Sequence, residues 1–179
     1  MAEAKDYLKT MKWDGKAPLI ILQPGAKDRF KLWPLNYFAQ AASRIYNDYP
    51  SNVKPLYIVT GSMHEARMVK ELAAQIEGAL PLFGQISLRV LIAILKMARL
   101  MITNDTGTMH LAFSQNTPTL ALFSPTDPDL CGPYLAKNTH VIAKKRSCSP
   151  CLRKRCADPF CMRQISVDEV VNLSLKILG

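Results

Sequence analysis

Short, continuously apolar runs alternate with amphipathic stretches along this chain, and that alternation limits the fold more than any other feature. The runs are Leu19-Ile20-Ile21-Leu22, Leu56-Tyr57-Ile58-Val59, Leu80 to Phe83, Leu100 to Thr103 and Thr119 to Phe123. Brief apolar runs without polar alternation suit strands buried on both faces, as in parallel sheets. Between them lie helical patterns. Pro34 sits in the first turn of a helix running to about Asp48, and Glu65 to Ile76 gathers Ala66, Val69, Leu72, Ala73 and Ile76 on one face. Ser87 caps a helix through about Met97, and Met109 to Gln115 forms another. Thr139 to Ala143 is a further strand, and Ser166-Val167-Asp168-Glu169 is a capping box ahead of a last helix to about Leu178. The pattern predicts an α/β fold with a parallel sheet of about six strands wound on both sides. Residues 1–17, polar and mixed, read as a linker or leader with a short helix at Ala4 to Met11.

Sheets of this kind bind ligands just beyond the carboxyl ends of their strands. Gly25, Gly61 and the segment Asn104 to Gly107 all fall there. In Ile102-Thr103-Asn104-Asp105-Thr106-Gly107-Thr108-Met109-His110 an apolar run ends, a polar turn follows and a helix begins. A helix N-terminus offers unpaired N–H groups and partial positive charge, which receive phosphate. Gly107 permits close approach to the backbone, Thr106 and Thr108 add hydroxyls, and His110 leans back toward the same spot. Asp105 repels an anion and fits better as the cap that orders the turn. Taken alone, the segment is equally compatible with a capped turn and an ordinary buried histidine.

The first strand-end loop, Gln23 to Pro34, adds Gly25 and three cations, Lys27, Arg29 and Lys31. Cations there neutralise a diphosphate and stabilise it as a leaving group. An exposed basic loop is the plainer reading, but two phosphate-suited loops on one sheet edge weigh against it.

The chain has 179 residues, enough for one α/β domain with a sizeable core, and a formal net charge of +9. Such a balance favours anionic partners. Lys144, Lys145, Arg146, Arg153, Lys154, Arg155 and Arg163 crowd one stretch that is either a solvated face or a patch for anionic lipid. Few aromatics accompany them and no RNA-binding signature is present, so nucleic acid is not the expected partner. No apolar run is long enough to cross a bilayer, and the first residues lack the apolar core of a signal peptide, so the chain reads as cytoplasmic.

Four cysteines, Cys148, Cys151, Cys156 and Cys161, fall in the same stretch. Thiols at this density suit zinc or an iron–sulfur cluster, although the second pair lacks the short knuckle spacing. Free thiols are the alternative. Cys131 stands apart as packing or a free thiol.

Three motifs occur in order: Pro24-Gly25-Ala26 through Lys31-Leu32-Trp33-Pro34, then Asn104-Asp105-Thr106-Gly107-Thr108-Met109-His110-Leu111-Ala112, then Leu122-Phe123-Ser124-Pro125-Thr126-Asp127-Pro128 with Gly132-Pro133. From about residue 18 to the C-terminus the chain resembles the C-terminal half of glycosyltransferase family 9, the ADP-heptose:lipopolysaccharide heptosyltransferases. The resemblance implies the donor-binding half of a GT-B fold, a pair of Rossmann-like domains, so residues 18–179 are expected to form a nucleotide-sugar-binding domain. It implies that Lys31 contacts the donor diphosphate, that Asp105, Thr106, Gly107 and His110 cradle the phosphates, and that Glu65 lies near the nucleoside, with His64 a weaker neighbour. A carboxylate at Glu65 accepts from ribose hydroxyls; its plainer role is a solvated first-turn residue favoured by the helix dipole. Lys27 departs from the family pattern, which often has a hydroxyl residue there.

In the family the N-terminal domain binds the acceptor and carries the catalytic carboxylate. The chain is therefore expected to hold ADP-heptose or a related donor without a required cofactor, and not to transfer heptose alone to a lipopolysaccharide core or other anionic glycolipid. A peripheral place at the inner membrane face fits such an acceptor. Two other readings stand beside this one: a non-catalytic nucleotide-binding or interaction module, metal-stapled or not, and a sugar-nucleotide epimerase of the same architecture.

Overall fold

The computed structural model describes residues 1–84, 86–133, 137–145, 148, 156 and 160–179. Six strands form a single sheet: β1 (Leu19–Gln23), β2 (Leu56–Gly61), β3 (Leu80–Phe83), β4 (Leu100–Asn104), β5 (Thr119–Phe123) and β6 (Thr139–Ala143). All neighbours pair in parallel, in the order β3-β2-β1-β4-β5-β6. The expected doubly wound α/β architecture is present. The strand order reverses between β1 and β4, which makes their carboxyl ends the crevice where such folds take ligands.

The helices are α1 (Ala2–Thr10), α2 (Leu35–Asp48), α3 (Ala66–Ala73), α4 (Leu88–Met97), α5 (Gly107–Ser114), α6 (Pro128–Cys131) and α7 (Val167–Leu178). Strand residues alternate between two cores. Ile20, Leu22, Tyr57, Val59, Leu100 and Ile102 face one, under Phe38, Ile45, Leu72 and Val170 of α2, α3 and α7. Leu19, Ile21, Ile58 and Met101 face the other, with Ile94 and Leu95 of α4 and Ala4 and Leu8 of α1. Burial on both faces explains why the strand runs show no polar alternation. The segment expected as linker or leader thus contributes α1 to the second core, and Trp13 Nε1 donates to the Ala17 carbonyl at 2.9 Å beyond it.

Helix starts follow the side chains. Pro34, placed by sequence inside the first turn, is instead the residue before α2. The Ser87 hydroxyl accepts from Val90 N, and Ser166 and Glu169 form the expected capping box of α7. α5 starts two residues earlier than its periodicity suggests, at Gly107. No described helix is long and apolar enough to cross a membrane.

Candidate functional site

Three strand ends converge on one edge of the sheet. β1 runs into a loop that makes a single 3-10 turn at Arg29–Lys31 before α2. β2 ends at Gly61 and passes through Ser62 into a 3-10 turn at Met63–Glu65 and then α3. β4 ends at Asn104, and Thr106 precedes α5.

The Lys31 ammonium donates to Oδ2 of Asp105 at 2.7 Å. Asp105 was expected to cap the turn. Instead Thr106 occupies the cap position without a side-chain bond, and the Asp105 carboxylate holds the lysine. The two strand-end loops are therefore joined by an ion pair. Lys27 and Arg29 are exposed, so Lys31 alone of the three loop cations is drawn inward. Asn104 is fully buried and does not face a ligand: its Nδ2 donates to Pro24 O at 2.7 Å, and its Oδ1 accepts from Trp33 N at 3.2 Å. Trp33 is pinned further by its indole N–H, which donates to Ile165 O at 2.9 Å.

The second strand-end loop touches the first at Gly25. A Cβ placed on Gly25 would stand 1.8 Å from Oε1 of Glu65, so only glycine lets the carboxylate lie there. The other oxygen, Oε2, accepts from Ser62 N at 2.7 Å and Ser62 Oγ at 2.9 Å, closing a capping box. Glu65 thus has a structural task on one oxygen, while the other lies against the neighbouring loop. The Ser62-x-x-Glu65 spacing was a readable signal for that box. His64, beside it, is exposed.

At α5 the turn is open. A Cβ at Gly107 would meet nothing within 4 Å, so the chain's own packing does not require the glycine. The first N–H groups of the helix lie beside Thr106, and the His110 ring, exposed, stands edge-on to Phe113 at 5.7 Å. Four buried side-chain atoms lack a partner among the described residues, and three of them lie at this edge: Gln23 Oε1 ends β1, and Ser124 Oγ and Thr126 Oγ1 follow β5.

One feature had no sequence signal. A cavity of about 260 Å³ opens between the ends of β2 and β3 and the start of α4, lined in part by Thr60, Gly61, Ser62, Leu82, Leu88 and Leu91. Ser62 links it to the Glu65 carboxylate. Gly84, also on the wall, has φ +61° and is covered by the Met63 side chain.

Among the cysteines, Cys148 is exposed, Cys156 and Cys161 are half-buried, and all three are free thiols, as is exposed Cys131. Cys151 lies outside the described residues. Among the described residues no three His, Cys, Asp or Glu side chains gather as a metal site, so the expected zinc or iron–sulfur centre gains no support.

The family model for glycosyltransferase family 9 (heptosyltransferase) matches residues 1–160. Lipopolysaccharide heptosyltransferase 1 of Pseudomonas aeruginosa is 34% identical over 143 residues, which is 80% of this chain and 39% of that protein. The fold matches a family 9 glycosyltransferase of Veillonella parvula with a TM-score of 0.82 at 24% identity, over 99% of this chain and 50% of that one. It matches the ADP-heptose lipopolysaccharide heptosyltransferase II of Escherichia coli with a TM-score of 0.78 at 21% identity, over 99% and 51%. The chain spans about half the length of the relatives it matches. With three converging loops on the edge of a doubly wound sheet and this match over most of its length, the chain belongs to glycosyltransferase family 9, the heptosyltransferase family.

Proposed function

We propose that this chain is the donor-binding half of an inverting heptosyltransferase and that it holds ADP-heptose or a close nucleotide sugar along the carboxyl edge of its sheet. The observation that carries the reading is the spatial order of the groups. The cavity lies at β3 and β2, Glu65 follows β2, Gly25 and Lys31 follow β1, and Thr106 and Gly107 follow β4. Three inter-strand steps of about 4.8 Å make about 14 Å, a span that suits base, ribose and diphosphate in that order. The cavity takes the base, Glu65 accepts from the ribose hydroxyls, and Lys31 with the α5 N–H groups and Thr106 meets the phosphates. His110, one turn into α5, faces the same group, and Lys27 is free to approach it from the exposed side of its loop.

In this reading Lys31 and the helix N-terminus stabilise the charge that builds on the departing nucleoside diphosphate as the sugar leaves. The acceptor, a lipopolysaccharide core or another anionic glycolipid, and the carboxylate that activates its hydroxyl belong to the family's other domain, so these residues alone bind donor without turnover. The exposed Lys145 and the basic residues after it suit an anionic acceptor or membrane surface.

Isothermal titration with ADP, ADP-heptose, UDP and UDP-sugars tests the reading. ADP and ADP-heptose are expected to bind more tightly than the uridine series. A folded protein that binds none of them overturns it.

A further inference from the structure

We infer that Asn104 is a positioning residue: its carboxamide closes the loop 24–33 and thereby sets where the Lys31 ammonium stands. This rests on the reading of that loop as diphosphate-binding.

The side chain is fully buried at the last position of β4. Its Nδ2 donates to Pro24 O at 2.7 Å and its Oδ1 accepts from Trp33 N at 3.2 Å. Pro24 and Trp33 are the two ends of the loop that carries Gly25, Lys27 and Lys31. Backbone bonds inside the loop, Lys31 N to Asp28 O and Leu32 N to Arg29 O, shape its 3-10 turn but do not tie it to β4. One amide therefore anchors both ends, and the next residue, Asp105, takes the lysine itself. The division of labour follows from chemistry. A carboxamide of this length carries a donor and an acceptor on one carbon, as the two loop ends require. An aspartate offers acceptors only and faces the Pro24 carbonyl with like polarity. A leucine leaves two backbone groups unpaired, and a glutamine overreaches by one methylene.

Because Asn104 is buried, it acts on a ligand only through the loop. Loosening it lets Lys31 wander from Asp105 and forfeits the preorganisation that makes a fixed cation effective.

The test is a double-mutant cycle on the full chain, read as the dissociation constant for ADP. Asn104→Asp is expected to weaken ADP binding about tenfold, in line with the loss of a charge-assisted phosphate contact. Added to Lys31→Ala it is expected to cost nothing further, since both remove the same contact. An effect on binding that does not pass through Lys31 predicts instead that the two losses multiply, and that result overturns the inference. So does an unchanged affinity in Asn104→Asp. Asn104→Ser, which buries no charge, serves as a second variant with the same expectations should the aspartate variant not fold. Failure of ADP to bind the unsubstituted chain overturns both this inference and the proposed function, whereas an additive cycle overturns this inference alone.

Discussion

The Lys31 ammonium and the Asp105 carboxylate lie 2.7 Å apart, with the side chains only 18% and 8% exposed. They come from loops 74 residues apart in sequence and join the ends of β1 and β4. A pair this sheltered is poorly screened, and removing either member leaves the other's charge uncompensated. The lysine still has donors to spare, since an ammonium carries three. It is thus a cation held in place before any phosphate arrives.

Lys31→Ala is therefore expected to have two effects. The midpoint of thermal unfolding falls by several degrees, because about 2 kcal/mol is a reasonable cost for leaving Asp105 half-solvated and alone. Affinity for ADP falls at least about tenfold, equivalent to about 1.4 kcal/mol. Calorimetry measures both, and an ADP affinity equal to that of the unsubstituted chain removes Lys31 from the phosphate site.

Gly25 makes a second cross-loop contact testable. In Gly25→Ala the new methyl would stand 1.8 Å from Glu65 Oε1 and 2.3 Å from its Cδ. The far end of the glutamate is the part that yields. It swings away and gives up its bonds from Ser62, at a cost of about 1 kcal/mol and about 3 °C in the unfolding midpoint. The carboxylate also leaves the place assigned to the ribose. The unsubstituted chain is expected to prefer ADP to its 2′,3′-dideoxy analogue, and the variant to lose that preference. If the preference survives, Glu65 is not the ribose acceptor.

How much of this was legible in the sequence follows from the range of each interaction. The strands and most helices were, because burial on two faces writes continuous apolar runs and capping is local: Ser87, Ser166 and Glu169 behave as read. The loops Gln23–Pro34 and Asn104–His110 were legible as strand-end loops on one sheet edge, because each follows an apolar run and leads into a helix. Asp105 was misjudged as a cap because its partner is remote. Asn104 gave no hint that both its amide atoms are used within the chain, since Pro24 and Trp33 meet it only after β1 and β4 pair. The cavity was equally invisible, being the space left between β2, β3 and α4. α1 was legible as a short helix but its place in the core was not, since only Ala4 and Leu8 are buried in it.

The cavity supports a third prediction. Gly84 has φ +61°, and a Cβ there would lie 2.6 Å from Met63 Cγ and 2.8 Å from Sδ. Gly84→Ala strains the backbone by about 1 kcal/mol and pushes the exposed Met63 off the β3 end. Reshaping the cavity wall is expected to weaken ADP binding several-fold while pyrophosphate binding is unchanged, because pyrophosphate has no base. Equal losses for both ligands would show that the cavity does not hold the base.

The last prediction concerns α7 and pH. Glu169 caps the helix through Ser166 and also receives the Lys144 ammonium, which ties α7 to the end of β6. Partial burial pushes its carboxyl up, but the hydrogen bonds from Lys144 and Ser166 and the lysine's charge outweigh that and hold it below the ordinary carboxylate range. A carboxyl depressed in the folded state stabilises the protein above its unfolded value, about 4.3, and loses that contribution as pH falls through the folded value. Glu169→Gln keeps an acceptor for Ser166 and removes only the charge. Since the pair is partly exposed, the difference is expected to be modest, about 0.5 kcal/mol or 1–2 °C at pH 7. It is expected to shrink as the pH is lowered through about 4 and to vanish below the folded value, where the native glutamate is itself protonated. Unfolding midpoints of the two proteins measured from pH 3 to pH 8 check this, and a gap that is constant across that range would show that the Lys144 pairing contributes nothing to holding α7.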